Sequence, residues 1–135
     1  MKHLKKLLLA VVLLPVLLLL GCVAWEVYGL CANHIATARQ TQQLQAELAR
    51  CIDDFGLIEV YSETGNLSGT GNHVECASKI TFSASADMTE DKIAAAMAEY
   101  CAARHAGWGI GRTEDGAWWF YMDTVAPFPD NIEGH

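Results

Sequence analysis

Cys101 and His105 stand four residues apart in a segment, Tyr100-Cys101-Ala102-Ala103-Arg104-His105, that reads as helix. Side chains at that spacing share one helix face. A thiol and an imidazole so placed suit two kinds of chemistry: half of a metal site, or a thiol–imidazole dyad. His73 and Glu75 are two further donors for the first. A structural metal centre needs four ligands, however, and the chain has no Cys-x-x-Cys pair, so no metal and no cofactor is assigned.

The cysteines have a second use. Beyond Cys22 there are four, Cys31, Cys51, Cys76 and Cys101. An even number outside a membrane reads as up to two disulfides, with three possible pairings, against the alternative of reduced, buried thiols. An unbroken helix from Cys31 to Cys51 would hold those two about 30 Å apart, too far to bond. A disulfide at Cys101 would remove the dyad.

Other polar groups give weaker patterns. Asp53, Asp54, Glu59 and Glu63 could supply acid–base carboxylates but read more simply as a helix terminus running into a solvated strand. The stretch from Thr64 to Asn72 is rich in turn formers, or a backbone nest for an anion, but no Gly-Lys-Ser/Thr follows and no Gly-x-Gly-x-x-Gly is present. No Ser–His–Asp set is spaced for catalysis, and no enzyme is expected.

Aromatic residues carry the most informative pattern. Trp108–Arg112 and Ala117–Met122 flank Asp115-Gly116, a type I′ hairpin signal. A two-residue loop would put Glu114 opposite Ala117 and Ile110 opposite Tyr121. Trp108, Ile110, Arg112, Trp119 and Tyr121 would then share one face, with Trp118, Phe120 and Met122 on the other across from Gly109 and Gly111. The first face either packs beneath the helix Leu44–Ile52 or stays open as a site for a peptide, glycan or partner protein.

These residues are positioned by a chain of 135 residues whose greasiest stretch comes first. Leu7 to Leu20 has no polar side chain and follows Lys2, Lys5 and Lys6. It reads as a signal peptide or as a membrane anchor over residues 1–30, with the lysines cytoplasmic and the remainder outside. Extended to Trp25, the anchor would reach about 28 Å, with Trp25 and Tyr28 at the outer interface. Leu19-Leu20-Gly21-Cys22 resembles a bacterial lipobox. The resemblance covers residues 1–22 and implies cleavage before Cys22 and lipidation of its sulfur.

All sixteen acidic residues lie from Glu26 onward, against six basic ones there, so the outer part carries about −10. Such a surface repels nucleic acid and anionic headgroups and suits cationic partners.

The remaining elements follow from periodicity. A helix over 31–52 is polar in its first half, as a stalk would be, and carries Leu44, Leu48, Cys51 and Ile52 in its second. Strands are expected over Gly56–Glu63 and Val74–Ala84. Thr89 caps a second helix with Met88 and Ile93 as its staple, Ile93, Met97, Tyr100 and Cys101 as its inner stripe, and Gly107 as its end. Residues 126–135 read as a loose tail. The loop from Thr64 to Asn72, with the strand and capped helix after it, resembles small exported proteins of Firmicutes with no assigned role; the similarity covers Ser62 to Tyr100 and implies no functional residue.

The expected fold is α+β: a membrane or signal helix, a stalk helix, then a β-β-α-β-β domain over 53–125, an antiparallel sheet with a helix on one face. The expected role is a non-catalytic domain anchored in the cell membrane on its extracytoplasmic side, binding a protein, peptide or glycan through the hairpin's aromatic face. The alternatives are a metal- or thiol-dependent site at Cys101 and His105, or a purely structural envelope protein.

Overall fold

Fifty consecutive residues form one α-helix, α1 (Lys2–Cys51), in the computed structural model of the chain, which describes residues 2–69 and 71–135. For residues 2–5, 7 and 8 only the backbone is described, so Lys2 and Lys5 of the basic flank, and Thr70 of the turn-rich loop, lie outside the described side chains. Neither Pro15 nor Gly29 breaks α1. From Leu9 through Leu20 its apolar side chains are uncovered by the rest of the protein. By length and composition this is a helix able to cross a membrane.

The second half of α1 is the core helix of the domain. Its buried stripe runs Gly29, Asn33, Thr37, Thr41, Leu44, Leu48, Ile52, at the three- and four-residue spacing of one helix face. The expected stalk is therefore docked along its length. What disguised it is chemistry: the upper part of the stripe is polar. Thr41 Oγ1 meets Ser78 Oγ at 2.8 Å, and Thr37 Oγ1 meets Thr64 Oγ1 at 2.6 Å. Gln40 donates to the Cys76 carbonyl at 2.8 Å and accepts from Thr124 Oγ1 at 2.5 Å. Buried polar groups are tolerated where each finds a partner, and these do.

Four antiparallel strands follow: β1 (Gly56–Gly65), β2 (Glu75–Ser83), β3 (Gly107–Arg112) and β4 (Trp118–Val125), in the order β1-β2-β4-β3. A second helix, α2 (Glu90–Ala102), joins the two hairpins. Both helices cover one face of the sheet, and the architecture is α+β. The core between them gathers Leu44 and Leu48 of α1, Ile80 and Phe82 of β2, Ile93 and Met97 of α2, and Phe120 and Met122 of β4. A satellite cluster of Val74, Cys76 and Ala126 sits beside Ala36.

Local chemistry explains the ends of α2. Thr89 Oγ1 accepts from the Lys92 amide at 3.3 Å, and Glu90 and Asp91 occupy the first turn, where the helix dipole favours them. The helix stops at Ala102, earlier than expected: the Cys101 carbonyl accepts from the amides of both Arg104 and Ala106, and His105 turns left-handed at φ 50°. Gly107 begins β3 instead of closing the helix.

Two further expectations are corrected. The hairpin loop has three residues, Glu114 to Gly116. Thr113 and Ala117 pair through N–H to O at 2.9 Å, the Gly116 amide returns to the Thr113 carbonyl at 3.0 Å, and Gly116 alone takes a positive φ, 84°. That is a type I turn closed by a left-handed glycine, the usual three-residue hairpin. The register slips by one, so Ile110 faces Phe120 and not Tyr121. A one-residue slip turns a strand over.

The tail, expected to be loose, is docked. Val74 pairs with it twice, donating to the Pro129 carbonyl at 2.9 Å and accepting from the Ala126 amide at 3.0 Å. Its final 3-10 turn, Ile132–Gly134, lies against α1, β1 and the loop before β2: the Asn131 side chain donates to the Glu26 carbonyl at 3.2 Å, and Gly134 abuts the His73 backbone.

Candidate binding face of the sheet

With α1 and α2 on one side, no helix among the described residues covers the other side of the sheet. Register fixes what it displays, because alternate residues of a strand point to one face. The rows read Glu59–Thr81–Trp119–Gly111, then Tyr61–Lys79–Tyr121–Gly109, then Glu63–Ala77–Asp123–Gly107, with Glu75 beside Val125 at the end.

Strand β3 contributes only glycines to this face. A methyl group at Gly111 would collide with the Trp119 ring, and one at Gly107 with the Asp123 carboxylate. The missing side chains let Trp119 lie over β3 and leave it half-buried. Lys79 Nζ sits 5.3 Å from the centre of that ring, within cation–π range. The Tyr61 hydroxyl donates to the Glu63 carboxylate.

Charge on the face is lopsided: Glu59, Glu63, Glu75 and Asp123 against Lys79. Burial, and then the Glu75 carboxylate nearby, push the Asp123 carboxyl above its ordinary value. The Tyr121 phenol is pushed up by burial first and then by Asp123, Glu75 and Glu63. Both groups are partly buried among other acidic side chains, which favours their neutral forms. At its rim, edge strand β1 leaves Leu57, Ile58, Val60 and Tyr61 between 44% and 58% exposed. The face thus brings rings and carboxylates together beside an edge strand.

The five residues expected to share the hairpin's aromatic face divide between both sides of the sheet. Trp119 and Tyr121 stand on the open face. Trp108, Ile110 and Arg112 stand on the helix side, a consequence of the register slip. There Trp108 stacks on Phe120 at 6.0 Å, Ile110 packs against the core, and the Arg112 guanidinium lies 4.0 Å from the centre of the Trp118 ring. Tyr61, Lys79, Glu63, Glu75 and Asp123 were not anticipated as partners of these rings. Their alternation along β1, β2 and β4 marks one face, but only the pairing shows that the three rows adjoin.

The other chemical candidates fall apart geometrically. Cys101 is buried in the core, where burial raises its thiol pKa, whereas His105 is exposed beyond the end of α2. Among the described residues no three metal-binding side chains gather. Asp53 and Asp54 are the exposed turn that ends α1, with Asp54 left-handed at φ 55°.

Ser68, His73 and Glu75 do meet. Ser68 Oγ lies 3.2 Å and Glu75 Oε1 3.1 Å from the same ring nitrogen, Nε2 of His73. A nucleophile–base–carboxylate relay needs the serine and the acid on opposite nitrogens, so this contact braces the loop.

All five cysteines are free thiols, which corrects the expected disulfides. Cys31 is exposed on α1, twenty residues and about 30 Å from Cys51 on the same helix. Cys76 lies in the satellite cluster with its sulfur 3.9 Å from the Asn33 carbonyl, and Cys101 lies in the main core. Cys22 is exposed within the apolar half of α1.

Comparison with family models, curated proteins and solved structures gave no match to this chain.

Proposed function

We propose that the protein is a non-enzymatic domain anchored in the cell membrane on its extracytoplasmic side, and that it holds a lysine- or arginine-bearing polypeptide segment across the open face of its sheet. The observation that carries this reading is the composition of that face: four carboxylates and one lysine around Trp119, Tyr121 and Tyr61, with no helix among the described residues over them. The outer part's charge of about −10 steers the same class of partner toward the protein.

Anchorage is supported by the uncovered apolar half of α1. Its orientation is argued from Lys2, Lys5 and Lys6 before that half and the acidic excess after it. Because Glu26 is already bonded to the folded domain, through the Ile132 amide at 3.1 Å, α1 leaves no slack after Cys22. This favours an anchor that is retained over one that is cut at Cys22. Intact-mass measurement of the native protein distinguishes the two: the full chain in one case, a chain starting at a diacylglyceryl-modified Cys22 in the other.

The binding test uses the full chain in detergent micelles and two short peptides of equal length, one lysine-rich and one glutamate-rich. Tryptophan emission is expected to respond to the first and not the second, with affinity falling steeply as salt is raised. Tyr61→Ala and Glu63→Gln, both on exposed positions, are expected to weaken it. Equal responses to both peptides, or binding unaffected by either substitution, would overturn the reading.

A further inference from the structure

The tail is pinned where α1 leaves its apolar segment, and it brings a third ring to that level. Phe128 makes edge-on contacts with Trp25 at 5.5 Å and with Tyr28 at 5.4 Å. Trp25 and Tyr28 are each 60% exposed, and Ile132, whose amide bonds Glu26, is 63% exposed. The arrangement is held from below by polar bonds, with Asn33 clamping the Phe128 backbone from both sides and Glu26 receiving the amides of Asn131 and Ile132. Gly29 lets the tail approach: a methyl group there would crowd Asn131 and touch Phe128.

The position along α1 identifies what meets these rings. Eighteen residues separate Leu7 from Trp25, a rise of about 27 Å, which matches the roughly 30 Å hydrocarbon thickness of a bilayer. Aromatic side chains concentrate at the boundary between hydrocarbon and headgroups, where ring and polar atom are both satisfied. Glu26 and the Tyr28 hydroxyl supply polar atoms at the same level. We infer that residues 126–135 form a membrane-seating clasp, in which Phe128 and Ile132 enter the headgroup layer beside Trp25 and Tyr28 and seat the domain directly on the lipid surface. The ligand is the interface of the bilayer itself. The clasp depends on aromatic burial and not on charge, so an electroneutral lipid suffices.

The inference rests on α1 being inserted in lipid, and the test separates the two. Full-length protein is reconstituted in phosphatidylcholine vesicles with bromine placed near the headgroup end of the acyl chains, which quenches nearby tryptophan. Wild type, Trp25→Phe, Trp25→Phe/Phe128→Trp and Trp25→Phe/Ile132→Trp are compared. The difference between wild type and Trp25→Phe reports Trp25. The difference between Trp25→Phe and each double variant reports the tail, and Ile132→Trp, at an exposed position, serves even where the larger ring at 128 disturbs the fold. Loss of the Trp25 component and of the tail component to brominated lipid is the expected result. A tail component quenched by aqueous iodide but untouched by brominated lipid, with Trp25 still quenched by lipid, would overturn the clasp and leave the anchor standing. A Trp25 component that brominated lipid leaves intact would overturn both.

Discussion

Asn33 and Phe128, ninety-five residues apart in the chain, exchange a reciprocal pair of hydrogen bonds: Asn33 Nδ2 to the Phe128 carbonyl and the Phe128 amide to Asn33 Oδ1, both 2.9 Å. One side chain on α1 thus takes the place of a neighbouring strand for the tail. Asn33→Ala is expected to cost about 2–3 kcal/mol, since it leaves a donor and an acceptor of the Phe128 backbone unpaired. The sharper readout is local: carboxypeptidase should trim the tail of Asn33→Ala while the wild-type tail resists.

Gln40 joins α1 to the middle of the sheet, with donations toward Cys76 and Ser78 and an acceptance from Thr124. Gln40→Leu keeps roughly the volume and removes every bond. It is expected to lower stability by about 1–3 kcal/mol in denaturant unfolding, against a change near zero for the exposed neighbour Gln43→Leu.

Trp119 lies where a side chain on Gly111 would have to be. Gly111→Ala should lower stability by about 1–3 kcal/mol and shift the Trp119 emission toward the red as the ring is lifted into water. Gly69, with open space around it but a positive φ of 66°, should lose less on the same change, by backbone strain alone.

How much of this was legible in the sequence depends on which physical signal each element leaves. Alternation from Val74 to Ala84 announced β2, and Thr89 with its acidic first turn announced α2, because both patterns are local. The polar stripe Asn33, Thr37, Gln40, Thr41 was invisible to hydropathy: its burial is compensated by hydrogen bonds to partners twenty-seven to ninety-five residues away. Asp115-Gly116 suggested the two-residue turn, but Glu114 joined the loop, and that single residue moved Trp108, Ile110 and Arg112 to the opposite side from Trp119. No local rule assigns the open face, which comes from three strands at once.

Acidity should affect this face through Asp123. Its carboxyl is raised by burial and by Glu75, so between the ordinary carboxyl pKa, about 3.9, and that raised value the folded chain holds more protons than the unfolded chain. Stability from this group is therefore fully present below that window and is lost as pH rises through it. Asp123→Asn is expected to raise the melting temperature at neutral pH, with the gain vanishing once the pH falls below the ordinary carboxyl range. A gain independent of pH would place its origin elsewhere.

Thiol reactivity offers a further check. Cys31 is exposed, whereas Cys76 and Cys101 are buried and their thiols are pushed upward by that burial. Maleimide should modify Cys31 in the folded protein within minutes and reach Cys76 and Cys101 only after denaturation. A native preparation in which Cys76 or Cys101 resists maleimide even when denatured, until a reductant is added, would show them oxidised.

Because α1 passes without interruption from its bare apolar half into the domain's own core, the sheet has no swivel. With the apolar half inserted in lipid, as proposed, any rotation of that half about its long axis would turn the carboxylate-bearing side by the same angle, and any tilt would lean it toward or away from the surface below. On that reading the molecule is a vane fixed to its shaft, and its heading is set by whatever grips the shaft within the lipid.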